Sequence, residues 1–321
     1  MRVYLAYSRD LAAEAEVAKE VIEELGLHTP EWERSLIGVS QGAIYEGSRR
    51  NMAQSDLFVG LVGQHYGWVL EKGAYNEETF DGEKSFLHSE FLWAAEQGLP
   101  MLVFFAPNIY TEGTPPATTD ELIETEPDRI ERLRGLRRYL ATRYLCPQFE
   151  SSAQLRESLG MSLMRLIHMQ RYGDGKNRDL IYISHSTTDD AFVDKLSASL
   201  YEAGLYPWVD HHHIPAGARW DAVLEHAINA SDSLVLVVSP ESIRSTVVES
   251  EWTYMGELGR KIYPVLLRSD TVPFRLRVLQ FTDFREDYDT AITRLLEALS
   301  APGVSAKVTE EQARDVAQGG T

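Results

Sequence analysis

The sequence predicts an α/β protein made of two tandem flavodoxin-like domains, each with a parallel sheet covered by helices. Three observations predict this fold class. The same order of apolar strands and amphipathic helices occurs twice along the chain. The strand segments are continuously apolar, which is typical of parallel strands buried on both faces. The length of 321 residues is sufficient for two domains of ordinary size, each with its own core.

Each copy of the repeat opens with an apolar strand that runs into a serine, at residues 3–8 and 181–186. An amphipathic helix follows and ends at a glycine, at about residues 11–25 in the first copy and 191–203 in the second. Both domains are therefore expected to begin with a strand and a helix that packs back onto the sheet.

The later parts of the repeat also keep their order. Each copy has a second buried strand, then a Ser-Glu-aromatic triplet that is predicted to begin a helix, then a third strand. These parts are residues 55–63, 89–91 and 99–105 in the first copy, and 231–239, 250–252 and 262–267 in the second. Glu90 follows Ser55 by 35 residues, whereas Glu251 follows Ser231 by 20. We therefore predict a loop insertion at about residues 67–82 of the first copy.

Two further helices are predicted between the copies, at about residues 128–145 and 152–171. The first is rich in arginine, including Arg137. Its basic face is compatible with phosphate or nucleic-acid binding and also, given the acidic residues at its start, with an ordinary solvated surface. The predicted parts of the chain are an N-terminal α/β domain with a helical extension (1–171), a linker (172–178), a second α/β domain (179–300) and a flexible tail (301–321).

Composition excludes several classes of partner. The chain has 49 acidic and 31 basic residues and a net charge of −18, so we expect neither a nucleic-acid nor a membrane partner. The single cysteine, Cys146, cannot form a disulfide within the chain, and no apolar run is long enough to span a bilayer. We therefore expect a cytoplasmic protein. We expect no metal site, because three consecutive side chains, His211 to His213, cannot converge on one ion.

The ends of the strands are the candidate ligand sites. Ligands of parallel α/β sheets bind beyond the carboxyl ends of the strands. Ser8 and Gly63 lie at such ends in the first copy, and Ser184 and Ser239 lie at such ends in the second. One candidate cleft is therefore predicted in each domain.

Residues 179–300 resemble a bacterial Toll/interleukin-receptor (TIR) domain over their whole length. Five motifs carry the resemblance, and they occur in the family's order and at its spacing. The motifs are the opening strand at 181–186, the second strand and BB loop at 205–220, the segment 227–232, the strand that ends in Ser239-Pro240, and Ser245 followed six residues later by Glu251.

The resemblance implies an NAD+ glycohydrolase or cyclase. In the enzymatic members a glutamate at the position of Glu251 is catalytic, and the bond between nicotinamide and ribose is cleaved to give ADP-ribose or a cyclic ADP-ribose. NAD+ is then the substrate, and no cofactor is implied. Self-association through TIR domains, a downstream effector that senses the product, and a role in bacterial antiphage defence are also implied. The implied substrate-binding residues are Ser184, His185, Ser186, Asp210, Ile214, Gly217, Trp220, Ser239, Ser245 and Trp252.

The residues themselves leave alternatives open. Nicotinamide is already a cationic leaving group, so one carboxylate, Glu251, is enough to position the ribose and stabilise an oxocarbenium-like transition state. A solvated carboxylate that interacts with the helix dipole is the alternative for Glu251, and Asp210 either contacts the substrate or simply ends its strand. Many active members have an aromatic residue and a cysteine where this chain has Val247 and Val248. The alternative function is therefore a noncatalytic TIR adaptor or a nucleotide-sensing interaction protein.

Residues 1–107 resemble a domain of unknown function that precedes signalling or effector modules in bacteria. The second strand and the sequences at 66–69 and 85–91 carry this resemblance. It implies a TIR-like fold and no particular activity.

A second ligand site is nevertheless predicted in this domain. Glu90 takes the place of Glu251 in the repeat, so Ser8, Gly63 and Glu90 are the candidate residues. The glycine at position 63 is compatible with the close approach of a phosphate to the backbone, and equally with tight packing.

Overall fold

The computed structural model describes residues 1–30, 41–74, 81–109, 123–172, 178–214, 218–269 and 272–300. The chain forms two compact units. The first unit comprises Met1–Leu166 and Ile214–His226, and the second comprises Ile167–His213 and Ala227–Thr321. Most of the predicted linker and the whole of the predicted tail, 301–321, lie outside the described residues.

The described part of the first unit contains a parallel sheet of three strands in the order β1-β2-β3. Helices follow each strand in the chain, as expected for a parallel sheet whose strands need crossover connections. The elements are β1 (Val3–Tyr7), α1 (Ala12–Glu24), α2 (Gln41–Ala53), β2 (Leu57–Val62), α3 (Phe86–Glu96), β3 (Met101–Phe105), α4 (Pro127–Ala141) and α5 (Ser152–Tyr172), whose last turns belong to the second unit.

The described part of the second unit contains a parallel sheet of five strands in the order β5-β4-β6-β7-β8. The three strands that the repeat predicts, β4, β6 and β7, are neighbours in this sheet. The elements are β4 (Leu180–Ser184), α6 (Asp190–Glu202), β5 (Tyr206–Trp208), α7 (Asp210–His213), α8 (Trp220–Ala230), β6 (Ser233–Val238), α9 (Thr246–Glu257), β7 (Lys261–Leu266), β8 (Thr282–Asp283) and α10 (Tyr288–Ser300). Helix α8 begins in the first unit and ends in the second.

The predicted fold class, α/β with parallel sheets covered by helices, is confirmed. Every residue of β2 and of β6 is buried, which explains why these segments are apolar at each position. In the first unit, Phe58 of β2 packs against Phe91 of α3 with ring centroids 5.0 Å apart. In the second unit, Val235 of β6 lies in a core with Ile183 of β4.

The helices that carry Glu90 and Glu251 begin earlier than predicted. Helix α3 is capped by Ser85, which accepts a hydrogen bond from the His88 amide at 3.2 Å, and α9 is capped by Ser245. The two Ser-Glu-aromatic triplets therefore lie in the second turns of their helices. Glu90 and Glu251 are both buried at these positions.

The glycines of β2 and its following loop serve packing. A Cβ atom at Gly60 would overlap the ring of Phe91, and one at Gly63 would overlap the side chains of Ser8 and Asp10. Gly67 has a φ of +93°, which requires glycine in a turn. Of the two interpretations given for the glycine at position 63, the geometry supports tight packing.

The basic helix α4 uses one of its arginines inside the first unit. Arg137 donates hydrogen bonds to the carbonyl oxygens of Val62, Gly63 and Ala106, at 3.2, 3.3 and 2.6 Å, and it lies over the ring of Phe105. These carbonyls lie at or just beyond the ends of β2 and β3. The arginine therefore holds the ends of two neighbouring strands together, a role that the sequence interpretation did not include. None of the helices in the described ranges has the length and apolar character needed to cross a membrane.

Candidate active site

Glu251 lies against the sheet of the second unit and is held by two residues of β4. Tyr182 and Ser184 are two positions apart in that strand, so their side chains share one face. The Tyr182 hydroxyl donates to Oε1 of Glu251 at 2.6 Å, and the Ser184 hydroxyl donates to Oε2 at 2.6 Å. Each carboxylate oxygen thus has its own donor, which fixes the orientation of the group.

Burial of Glu251 changes its acidity. Only 9% of the residue is exposed, and this burial raises its pKa from 4.5 to about 6. The hydrogen bonds from Ser184 and Tyr182 oppose the rise, and the negative charge of Asp210 adds to it. The carboxylate is therefore largely ionised at neutral pH. A solvated carboxylate at a helix terminus does not describe this residue.

Tyr182 is a site residue that the sequence interpretation missed. Its ring stacks on Trp208 with centroids 4.9 Å apart, and both side chains are buried. Burial and the neighbouring Glu251 raise the pKa of its phenol well above 10, so it stays a donor. A signal was present in the sequence, since both copies of the repeat have a tyrosine in the opening strand, Tyr4 and Tyr182.

Asp210 lies close enough to Glu251 to act on it through its charge, and His185 lies beside Asp210. Nε2 of His185 is 3.1 Å from Asp190 and 4.0 Å from Asp210, and its side chain is almost fully buried. Asp210 acts on the pKa of Glu251 through its charge, so it belongs to the electrostatic environment of the site. Ser186 accepts a hydrogen bond from the hydroxyl of Thr188 at 3.1 Å.

Two of the predicted substrate-binding serines make structural hydrogen bonds. Ser239 donates to Asp189 at 2.6 Å and accepts from the amide of Ser242 at 3.1 Å, and Asp189 also pairs with Arg268. This network joins the loops after β4 and β6. Ser245 accepts from the Val248 amide at 3.3 Å as the cap of α9. Both serines thus stabilise the elements that carry the site.

Trp252 and Trp220, the two aromatic residues of the predicted substrate-binding set, lie in different surroundings. Trp252 lines a cavity of about 120 Å³ together with Leu236 and Val248, and Glu251 is not part of that lining. Trp220 is about half exposed. Both Trp220 and Ile214 belong to the first compact unit. Gly217 lies outside the described residues.

The histidine tract, residues 211–213, is part of the short helix α7, Asp210–His213. His212 pairs with Asp194 at 3.0 Å. In the described portion of the chain no three or more His, Cys, Asp or Glu side chains are grouped so as to hold a metal ion.

The candidate second site of the first unit has a buried glutamate of its own. The Tyr4 hydroxyl donates to Oε1 of Glu90 at 2.5 Å, and Glu90 is 7% exposed. Ser8 accepts from the Gly63 amide at 2.7 Å, and Asp10 accepts from the next two amides, those of residues 64 and 65, at 2.6 and 3.2 Å. The backbone amides of this loop are therefore already occupied by the protein.

Comparisons with known proteins match each copy of the repeat to a different family model. A family model described as "TIR domain" matches residues 181–296, and one described as "Domain of unknown function (DUF4062)" matches residues 2–164. Among solved structures, the TIR domain of the Toll-related receptor TRR-2 from Hydra magnipapillata is 22% identical, with a TM-score of 0.34, and the match covers 37% of this chain and 94% of that chain. A putative sugar binding protein from Salmonella typhimurium LT2 is 13% identical, with a TM-score of 0.20, over 85% of this chain and 79% of that one. None of the curated proteins compared with the chain matches it.

Proposed function

Because the chain belongs to the DUF4062 family and residues 181–296 are a TIR domain, we propose that it is an NAD+ glycohydrolase or cyclase with Glu251 as the catalytic residue. One observation carries the proposal. Glu251 is a buried carboxylate whose two oxygens are oriented by donors from β4, Tyr182 and Ser184. A preorganised negative charge of this kind suits a reaction in which positive charge develops on a ribose.

The chemistry proposed for the site is simple. The bond between C1′ of the ribose and the nicotinamide nitrogen breaks, and its electron pair goes to the nitrogen, which becomes neutral. Positive charge then develops on C1′ and the ring oxygen, where the carboxylate of Glu251 stabilises it. Water captures C1′ and loses a proton to give ADP-ribose, or an atom of the same molecule captures it to give a cyclic product.

The neighbours of Glu251 receive supporting roles in this proposal. Ser184 and Tyr182 keep the carboxylate pointed at the ribose, whose hydroxyl groups hydrogen-bond to Glu251. His185, Ser186 and Asp210 border the substrate on the side of α7. We further propose that the product acts as a signal for a downstream effector, or that NAD+ is depleted, in bacterial antiphage defence.

Release of nicotinamide from NAD+ is the direct test. The purified chain is incubated with NAD+, and nicotinamide and ADP-ribose products are separated by chromatography over a range of protein concentrations. Stoichiometric nicotinamide and ADP-ribose species are expected. If no nicotinamide forms at any protein concentration, the noncatalytic TIR adaptor is the better function. Val247, which is 42% exposed where active members have an aromatic residue, favours that second candidate.

The pH dependence of activity should follow the ionisation of Glu251. We expect kcat/KM to fall as the pH decreases through about 6, because the carboxyl group then gains a proton and loses its charge. Ser184→Ala removes a hydrogen bond that favours the charged form, so the pKa of Glu251 should rise and the acid limb should move to higher pH. The control is Ser250→Ala, which alters an exposed serine of α9, the helix that carries Glu251. An acid limb that does not move in Ser184→Ala would contradict the coupling between the two residues.

Self-association is proposed to complete the active site. The BB loop, residues 210–217, is proposed to pack against a neighbouring TIR domain, so specific activity should fall when the protein is diluted a hundredfold. Mixing also tests the proposal: inactive Glu251→Gln chains and Gly217→Val chains should regain partial activity together if neighbours complete each other's sites. Constant specific activity on dilution, together with no recovery on mixing, would instead favour a loop that acts as a lid within one chain.

A further inference from the structure

The first unit contains a cleft that the proposed NAD+ chemistry does not use. It has a volume of about 680 Å³ and lies beyond the carboxyl ends of β1 and β2, where parallel α/β sheets bind ligands. The lining residues that matter for its chemistry are Arg9, His65, Trp68, Phe86, Glu90 and Arg129.

The cleft is lined by a buried carboxylate, Glu90, placed like that of the candidate active site. Tyr4 donates to Glu90 at 2.5 Å, as Tyr182 donates to Glu251 at 2.6 Å. The position of Ser184 is taken by Ala6, so the serine that orients Glu251 has no counterpart here. A buried carboxylate at the bottom of a cleft is a strong acceptor for ligand hydroxyl groups.

Positive charge lies at the mouth of the cleft. Arg9 is exposed, and the side chain of Arg129 is 38% exposed, although it also pairs with Glu126 at 3.2 Å and with Glu124 at 3.9 Å. The loop amides that would otherwise attract an anion are taken by Ser8 and Asp10. A ligand with a negative charge would therefore place that charge at the arginines and its hydroxyl groups at the carboxylate.

Aromatic and polar side chains lie between these two ends. Trp68 stacks on Phe86 with centroids 5.2 Å apart and remains partly exposed in the cleft. Nδ1 of His65 is buried and has no hydrogen-bond partner among the described residues. A planar heteroaromatic base would supply both a ring for Trp68 and a polar edge for His65.

We propose that this cleft is a binding site for a ribonucleotide, separate from the TIR domain. The vicinal hydroxyl groups of the ribose hydrogen-bond to Glu90, the base packs on Trp68, and the phosphate lies at Arg9 and Arg129. The proposal holds whether or not the TIR domain cleaves NAD+, since it rests only on residues of the first unit.

The test is calorimetric titration of the full-length Glu251→Gln protein with AMP, GMP, CMP and UMP. At least one nucleotide should bind saturably in this background. Its nucleoside, which lacks the phosphate, and its 2′,3′-dideoxy form, which lacks the hydroxyl groups, should each bind at least tenfold more weakly. Adding Glu90→Gln or Arg9→Ala should weaken the nucleotide at least tenfold. Arg134→Ala, an arginine of α4 that does not line the cleft, is the matched control and should leave binding unchanged.

Two results would overturn the proposal. The first is that none of the four nucleotides binds at millimolar concentration. The second is binding that is insensitive to Glu90→Gln and Arg9→Ala, which would place the nucleotide in another part of the chain. Thermal unfolding checks that each variant is folded. If Glu90→Gln fails to fold, the exposed Arg9→Ala variant and the dideoxy probe decide the question.

Discussion

Replacement of Glu251 by glutamine is expected to reduce nicotinamide release by about a hundredfold or more, while the protein stays folded. The amide keeps the size and shape of the carboxylate, but it carries no charge to stabilise the oxocarbenium-like transition state. Initial rates of nicotinamide formation from NAD+, measured at equal concentrations of variant and unaltered protein, give the effect directly.

Glu257→Gln is the matched control for this substitution. Glu257 is exposed at the end of the same helix, α9, so its replacement changes the net charge equally without touching the site. We expect its activity to equal that of the unaltered protein. A folded Glu251→Gln protein that retains near-normal activity would remove Glu251 from the catalytic role and leave the chemistry unassigned.

The pH dependence of the free energy of unfolding shows whether Glu251→Gln has lost only a charge or has also lost its fold. Burial raises the pKa of Glu251 from 4.5 to about 6, so folding favours the protonated form. The stability that Glu251 contributes should therefore be lost as the pH rises from 4.5 through 6, and Glu251→Gln removes this pH-dependent contribution. Above that range the free energy of unfolding of Glu251→Gln should exceed that of the unaltered protein by about 2 kcal/mol. This difference should vanish below pH 4.5. Unfolding in denaturant at pH 4.5 and pH 7.5 measures it.

Gly60→Ala is expected to destabilise the first unit by about 1–3 kcal/mol or more. Gly60 lies in the fully buried strand β2, and a methyl group there would overlap the ring of Phe91, which is itself completely buried. Close-packed interiors cannot absorb an added methyl group without moving the side chain that it meets. Urea unfolding followed by circular dichroism measures the change.

Gly135→Ala is the control for Gly60→Ala, because it adds the same methyl group at a position with free space. Gly135 is exposed on α4, and an added Cβ would have no other atom within 4 Å. Alanine in an exposed helix should stabilise the protein by about 0.5–1 kcal/mol relative to glycine. A Gly60→Ala protein as stable as the unaltered chain would show that Phe91 can move aside and that the core of this unit is looser than described.

The order of the repeated elements could be predicted from the sequence because it depends on local signals. Continuous apolar runs such as that of β2 indicate strands buried on both faces, and the repeat of the same parts in β4 and β6 indicates the same fold twice. Serine caps such as Ser85 are also local signals, but the Ser-Glu-aromatic triplets that follow them predict later helix starts. The start of α3 was therefore predicted three residues late, at Ser89 rather than Phe86.

The chemical environment of each candidate site was decided by tertiary structure. Tyr182 and Ser184 are 69 and 67 residues from Glu251 in the chain. Asp10 accepts a hydrogen bond from the amide of Gln64, which is 54 residues away. Such partners depend on strand register and on which helix face meets the sheet, and neither can be read from local periodicity. The sequence by itself determined the repeat, the two parallel sheets and the glutamate of each copy. Only the folded chain decided that Glu251 is buried and held by two hydroxyl groups, because burial and hydrogen bonding arise from elements that meet after folding.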